Sequence, residues 1–305
     1  MYTIEALIVV SALLIQVVAQ NVDYCSLSCD KKVNTICRRQ DCGPVPGCRE
    51  KSMDEAARQF AVDMHNSYRN KIATGQEKRF NGTVSNMLKI SYDMELERMA
   101  QCHANECIFG GPNVHDDCRK TSKFTTVGQN IQSVSGTKFN KVWLQSNYSQ
   151  PFFKWYNEIA YIDSSSYANY TINRRPGVGK NKVVDHFSQL VWAFTNKIGC
   201  ARAMKENPQG KYKYNVLYIC NYGPTGNVVG SSIFQQGEPA SKCPQNYTKD
   251  EKYPGLCAEK SLVVETRIMS LDEQTRGQSC SFVQHNYNWF LNIIVVSILY
   301  MYFTM

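Results

Sequence analysis

The stretch Asp185–Asn227 reads DHFSQLVWAFTNKIGCARAMKENPQGKYKYNVLYICNYGPTGN and holds His186, Trp192, Cys200 and Cys220 in one apparent folding unit. From Ile198 to Met204 and from Val216 to Tyr222 the residues read as strands, and the Asn207-Pro208-Gln209-Gly210 cluster between them reads as a turn. A hairpin symmetric about Gly210 puts Cys200 directly opposite Cys220, close enough in an antiparallel pair for a disulfide. The unit staples itself. His186, with its apolar neighbours, stands upstream of the hairpin, and the rest of the chain has to explain it.

The chain of 305 residues opens MYTIEALIVVSALLIQVVAQ, an apolar run of signal-peptide length with Val17 and Ala19 before a cut near Ala19 or Gln20. From Trp289 to Met305 it reads WFLNIIVVSILYMYFTM, an apolar tail with no basic residue after it. Small residues at Ser279, Cys280 and Ser281, followed by a polar spacer through Asn288, complete the pattern of a glycosylphosphatidylinositol-anchor signal, with a retained membrane helix as the alternative. The expected organisation is a signal peptide at 1–20, a cysteine-rich arm at 21–51, a main domain at 52–234, a small disulfide loop at 235–259, a stalk at 260–280 and the anchor signal or membrane segment at 281–305. The product is expected outside the cell, secreted or held on the outer surface.

Thirteen cysteines imply a disulfide framework formed in an oxidising compartment. Sequons at Asn81, Asn147, Asn169 and Asn246 agree with that route. The formal net charge of +8 is scattered along the chain, without a Lys/Arg block, which argues against nucleic acid and supports only a weak attraction to acidic surfaces.

The arm carries Cys25, Cys29, Cys37, Cys42 and Cys48 and too few large apolar residues to build a core, so it must be stapled to something. Ser52 with Glu55 forms a capping box for a first helix, whose Ala56, Phe60, Met64 and Tyr68 recur every fourth residue as one apolar face. A second helix starts at Asp93, with Leu96, Met99, Ala100, Ala104 and Cys107 on its buried side and Gly110-Gly111-Pro112 ending it. A polar stretch follows, containing His115, Cys118 and Gly128-Gln129-Asn130. A third helix fits Pro151 to Tyr161, facing inward through Phe152, Trp155, Tyr156 and Ile159. Helices before a hairpin, without strand-helix alternation, predict an α+β domain with helices packed on a small antiparallel sheet.

Five histidines carry the remaining chemistry. His65 shares a helix face with Arg69 and reads as a hydrogen-bonded structural group, and His103 reads as packing. His285 belongs to the tail. His115 and His186 lie beside loop or turn residues where a site could form. Two imidazoles and a carboxylate can hold zinc with one position open, and helix-borne Glu158 is the candidate third ligand. No Gly-x-Ser-x-Gly or His-Glu-x-x-His motif occurs, so neither the hydrolase elbow nor the zincin template fits.

Four segments carry a family resemblance. DHFSQLVW at Asp185–Trp192 and LYICNYGPTGN at Leu217–Asn227 resemble two signatures of the CAP superfamily (cysteine-rich secretory proteins, antigen 5, pathogenesis-related 1). His65-Asn66-Ser67-Tyr68-Arg69 and Gly128-Gln129-Asn130-Ile131 look like two more. The cysteine arm, the His115-Asp116-Asp117-Cys118-Arg119 run and the Tyr253–Cys257 ending resemble the insect antigen 5 branch. The resemblance implies an α-β-α sandwich around a three-stranded antiparallel sheet. It implies bridges Cys25–Cys37, Cys29–Cys118, Cys48–Cys107 and Cys200–Cys220; Cys243 with Cys257 is then local, Cys42 and Cys102 are extra and available to each other, and Cys280 is odd.

The family cleft, two histidines and two acidic residues, falls here on His115, Glu158 and His186, with Gln129 at the fourth position. A neutral amide cannot act as a general base and is a poorer zinc partner than a carboxylate. The expected activity is therefore binding without catalysis. The ligand is expected to be a lipid or sterol, a divalent metal, Zn2+ above all, or a protein partner. A metal-dependent hydrolase built on His115, His186 and Glu158 is the competing reading.

Overall fold

The structure, a computed structural model, describes residues 22–111, 114–137, 149–162, 164–171 and 183–260. The leader, Asn147, Cys280, most of the stalk and the apolar tail lie outside the described residues. Among the described residues no helix is long and apolar enough to cross a membrane.

The hairpin forms the centre. Strand β4 (Lys197–Glu206) pairs antiparallel with β5 (Tyr214–Gly223), and Cys200 faces Cys220 in register and is bonded to it. The turn predicted from Asn207 to Gly210 closes it, with Gly210 N–H donating to the Asn207 carbonyl. On the far side of β5 lies β3 (Gly128–Gly136), antiparallel and in register from Gly128 opposite Tyr222 to Gly136 opposite Tyr214. On the far side of β4 lie two short strands, β1 (Cys48–Glu50), antiparallel, and β2 (Ser91–Tyr92), parallel. The sheet thus has three long strands and two short edge strands, five in all where three were expected.

Two expectations change for local reasons. Gly128–Gly136 is a strand, although it reads as a polar stretch. It is an edge strand with only Asn130 and Val134 buried among its side chains, so it shows no apolar alternation to detect. His186 sits on a helix, α5 (Asp185–Leu190), too short to announce itself by periodicity.

Helices cover both faces. Two helices flank β1 in the chain: the short α1 (Thr35–Arg38), in the arm, and the 19-residue α2 (Glu55–Ala73). The N-cap of α2 is Asp54, whose carboxylate accepts the Ala57 N–H, and not Ser52. The cause is upstream: Lys51 N–H still donates to the Arg202 carbonyl, and the Ser52 carbonyl accepts from Arg202, so the backbone leaves the sheet only after residue 52.

The buried face of α2 is Ala57, Ala61, His65, Asn66, Arg69, Ile72 and Ala73, one position round from the expected face. Phe60, Met64 and Tyr68 flank it half-buried, and Ala56 is exposed. Counting apolar residues alone misplaced the face because its centre is polar. The Arg69 guanidinium, fully buried, donates to the carbonyls of Leu88, Leu190, Trp192, Ala193 and Thr195. Burial lowers Arg69 to about 9, so it stays protonated at neutral pH. It ties the first helix to the segment between α5 and β4.

Helix α3 (Met94–Ala104) begins at the predicted cap, with Asp93 Oδ1 accepting from Glu95 and Leu96 N–H. It ends at Ala104, before the glycines, and Cys107 lies beyond it. It lies against β4 at Gly199, where an added Cβ would collide with the backbone of Leu96 and Glu97. Ala100 and Ala104 pack there on Ala201, Ala203, Leu217 and Ile219. The opposite face of the hairpin, with Ile198, Cys200, Cys220 and Tyr222, packs on α2, α5 and α4 (Gln150–Asn157), which brings in Phe152, Trp155 and Tyr156. Glu158–Tyr161 continues α4 as a 3-10 turn.

Six disulfides form among the described residues. They are Cys25–Cys37, Cys29–Cys118, Cys48–Cys107, Cys200–Cys220, Cys243–Cys257 and the pair of extra cysteines, Cys42–Cys102. Three of them bind the arm to the region of α3 and the loop after it. The Cys243–Cys257 loop carries a small hairpin, β6 (Tyr247–Lys249) with β7 (Cys257–Glu259). It is stitched to the chain ahead of β2 by Cys257 N–H to the Met87 carbonyl and Lys89 N–H to the Cys257 carbonyl. Asn81, Asn169 and Asn246 are exposed.

Candidate functional site

Successive residues of a strand point to opposite faces, and β3 uses this at Gln129 and Asn130. On one side Gln129 Oε1 accepts from His115 Nδ1 at 2.8 Å. The same amide donates through Nε2 to Asp116 Oδ1 at 2.9 Å and to Asn221 Oδ1 at 3.0 Å. Those two acceptors settle which end of the amide is oxygen, and the oxygen in turn requires a hydrogen on His115 Nδ1. On the other side Asn130 Nδ2 donates to the His186 carbonyl at 3.0 Å and to Tyr222 Oη at 3.1 Å. The two histidines therefore reach the cleft from opposite layers, around the edge of β3.

His186 is held a second time. Glu158 Oε1 accepts from its Nδ1 at 2.7 Å, and Glu158 Oε2 accepts the backbone N–H groups of His186 and Phe187 at 3.1 Å each. The Trp155 ring stacks on the imidazole with centroids 6.1 Å apart. Tyr170 Oη donates to Asp185, and Asn227 Nδ2 donates to the Asp185 carbonyl, so the loop after β5 and the segment at Tyr170 are both tied to the start of the short helix.

Glu158, the expected third ligand, thus has both oxygens engaged with α5. Among the described residues no three His, Cys, Asp or Glu side chains are grouped so as to hold a metal ion. What the site offers is two imidazoles, each with Nδ1 occupied, and neither Nε2 has a hydrogen-bond partner among the described residues. Partial burial lowers the His115 pKa below the usual imidazole value; the hydrogen bond to Gln129 opposes this, while Arg119 and His186 add to it. His115 is therefore neutral at physiological pH.

Asp116 is the site residue that sequence reasoning passed over. It is buried between Arg119, whose Nε donates to it at 2.5 Å, and Thr35, whose hydroxyl donates at 2.7 Å. Burial opposes its ionisation, but Arg119 and His103 outweigh that and hold it below the usual carboxylate value. Its signal was in plain view as an Asp-x-x-Arg spacing beside His115.

Around these groups lies a cavity of about 380 Å³. Five consecutive β3 residues, Gln129 to Ser133, line it. Phe109, Val114, Ile131 and Leu217 make an apolar wall beside His115, and Val183, Asp185 and Asn227 flank His186.

His65 and His103 stand apart from the cleft as structural groups. His65 is fully buried, with Nδ1 at 2.7 Å from the Ala61 carbonyl and Nε2 at 2.9 Å from Tyr222 Oη. Nδ1 must donate to the carbonyl, so Nε2 accepts from the tyrosine, and burial pushes the His65 pKa down to about 4. His103 is buried against Glu106 and the Val114 carbonyl.

The family model described as "Cysteine-rich secretory protein family" matches residues 62–222. The chain is 35% identical to venom allergen 3 of Solenopsis invicta, over 75% of this chain and 98% of that protein. It is 36% identical to a cysteine-rich venom protein of Tityus serrulatus, covering 74% of this chain and about half, 51%, of the scorpion protein's length. Among solved structures, Na-ASP-1 superimposes with a TM-score of 0.53 at 27% identity, over 70% of this chain and 51% of that one. With the sheet, the helical layers and the four signatures in place, these matches make the chain a member of the cysteine-rich secretory protein (CAP) family.

Proposed function

We propose that this protein acts outside the cell by binding, without catalysis, and that the cleft between His115 and His186 is its binding site. The observation that carries the reading is the pair of occupied Nδ1 atoms. Each imidazole is fixed through Nδ1 by a side-chain oxygen, Gln129 on one and Glu158 on the other, which leaves Nε2 of each as the donor atom. Imidazole nitrogens held in this way suit Zn2+ or a similar divalent cation. Two imidazoles completed by solvent make a weak, open site. A bound cation there would supply a Lewis-acidic anchor for an oxygen or nitrogen of a lipid, sterol or protein ligand, and the apolar wall of Phe109, Val114, Ile131 and Leu217 would receive the adjoining carbon.

Two features favour binding over hydrolysis. Gln129 is an amide and cannot take a proton from water. Glu158 accepts three hydrogen bonds from α5 through both of its oxygens, so it serves to hold His186. The six disulfides fit the oxidising compartment that an extracellular role requires.

Calorimetric titration of the purified protein with Zn2+, beside His115→Ala and His186→Ala, tests the reading. Binding that falls at least tenfold in each variant supports it, and unchanged affinity in His186→Ala removes the site. An esterase and peptidase screen on the same proteins tests the competing reading: turnover abolished by His186→Ala would make the protein a hydrolase.

A further inference from the structure

Outside the cleft, the strongest unassigned feature is the tip of the β4–β5 hairpin. Lys205 is exposed near the end of β4, and Lys211 and Lys213 are exposed on the returning arm of the turn. The lysines are spread over nine positions of sequence, and the register brings them together. Lys205 lies opposite Asn215, Glu206 opposite Tyr214, and beyond that pair Asn207 N–H donates to the Lys213 carbonyl. Odd-numbered residues of β4 and β5 share one face, as Ala201, Ala203, Leu217 and Ile219 show by packing together under α3. Beyond that apolar patch the face turns polar. Lys205 and Asn215 stand on it, with Ser135 of β3 hydrogen-bonded to Asn215 at 2.6 Å.

The acid nearest in sequence does not neutralise this face. Glu206 has the opposite parity and pairs with Arg49 at 3.1 Å. The tip therefore presents three cations with amide and hydroxyl donors among them. Lys213 Nζ donates to the Pro208 carbonyl and Lys211 Nζ sits 5.6 Å from the Tyr212 ring centre, so both charges are held against the turn.

We infer that this face is a docking surface for a sulfated polysaccharide. Charge complementarity selects a polyanion, since three exposed lysines, with Glu206 paired to Arg49, attract sulfates in concert and release their counter-ions. The layout selects a chain over a membrane: the lysines follow the rib of one hairpin, so they match a linear row of sulfates. This inference is independent of the cleft.

The test is retention of the full chain on immobilised heparin in a sodium chloride gradient. It compares the wild type, the triple variant Lys205→Gln/Lys211→Gln/Lys213→Gln, and a control of equal charge change at exposed lysines elsewhere, Lys31→Gln/Lys78→Gln/Lys249→Gln. The hairpin variant is expected to elute at clearly lower salt, with its salt dependence reduced by about one contact per lysine, while the control elutes with the wild type. Equal shifts in both variants would reduce the effect to net charge and overturn the proposal, as would an unshifted hairpin variant. Co-sedimentation with phosphatidylserine vesicles supplies the remaining arm: lysine-dependent capture there at the salt that retains the protein on heparin would overturn the polysaccharide assignment in favour of a membrane surface.

Discussion

Gln129 donates to Asp116 across 2.9 Å, and this bond explains why the cleft carries an amide where the family resemblance implies an acid. Asp116 is buried and ionised, held by Arg119 and Thr35, and Asn221 offers a second acceptor to the same amide nitrogen. A carboxylate at position 129 would set two negative charges in contact. We expect Gln129→Glu to destabilise the fold by roughly 2–4 kcal/mol at neutral pH, as for an unpaired buried charge. Adding Asp116→Asn should recover part of that loss. Denaturant unfolding of the two single variants and the double variant measures the coupling; additive effects would deny the contact.

His65 and His103 should shape stability against pH from opposite sides. His65 has a folded pKa of about 4 against 6.5 unfolded, so between those values the unfolded chain binds the extra proton. Stability then falls as pH drops through that window, by about 3 kcal/mol in full. For His103 burial opposes the charge, but Glu106, Asp116 and the Val114 carbonyl outweigh it and raise the pKa. Its contribution is complete below 6.5 and fades as pH rises through the folded value. NMR titration checks both: His65 should stay neutral down to pH 5, and titration near 6.5 would refute the buried assignment.

Arg69→Met should unfold the protein or cost at least about 4 kcal/mol, because the carbonyls of Leu88, Leu190 and Thr195 would be left buried without donors, while those of Trp192 and Ala193 would keep only the N–H groups of Thr195 and Leu88. Thermal unfolding under non-reducing conditions measures the loss. A change below 1 kcal/mol would mean that solvent replaces the guanidinium.

Gly199→Ala should cost about 1–3 kcal/mol, the range for overpacking, since its Cβ would press on the backbone of Leu96 and Glu97. A neutral result would show that α3 can lift from the sheet.

The hairpin, its register and its disulfide were legible because strand signals, a turn cluster and two cysteines agree on one symmetry point. The α3 cap and the inward residues of α4 were legible from local chemistry in the same way. The bridges of the arm, Cys25–Cys37, Cys29–Cys118 and Cys48–Cys107, came from resemblance alone, since spacing does not choose among partners. Beyond that, β3 was hidden because an edge strand lining a polar cleft has no apolar alternation, and the α2 face was misjudged because its centre is His65, Asn66 and Arg69. At the site, His115, Gln129, Glu158 and His186 could be named from sequence, yet their division of labour could not. That Glu158 serves His186, and that Asp116 fixes Gln129, depends on contacts between residues 13 and 28 positions apart.

The central claim is that both cleft histidines offer the cavity an Nε2 that has no hydrogen-bond partner among the described residues. Long-range 15N–1H NMR of the imidazoles, recorded at neutral pH before and during addition of Zn2+, tests it most directly. The account predicts the Nδ1–H form for His115 and His186 alike, with both Nε2 signals moving as zinc is added. An Nε2–H form at either histidine, or zinc that leaves both Nε2 signals in place, would contradict it.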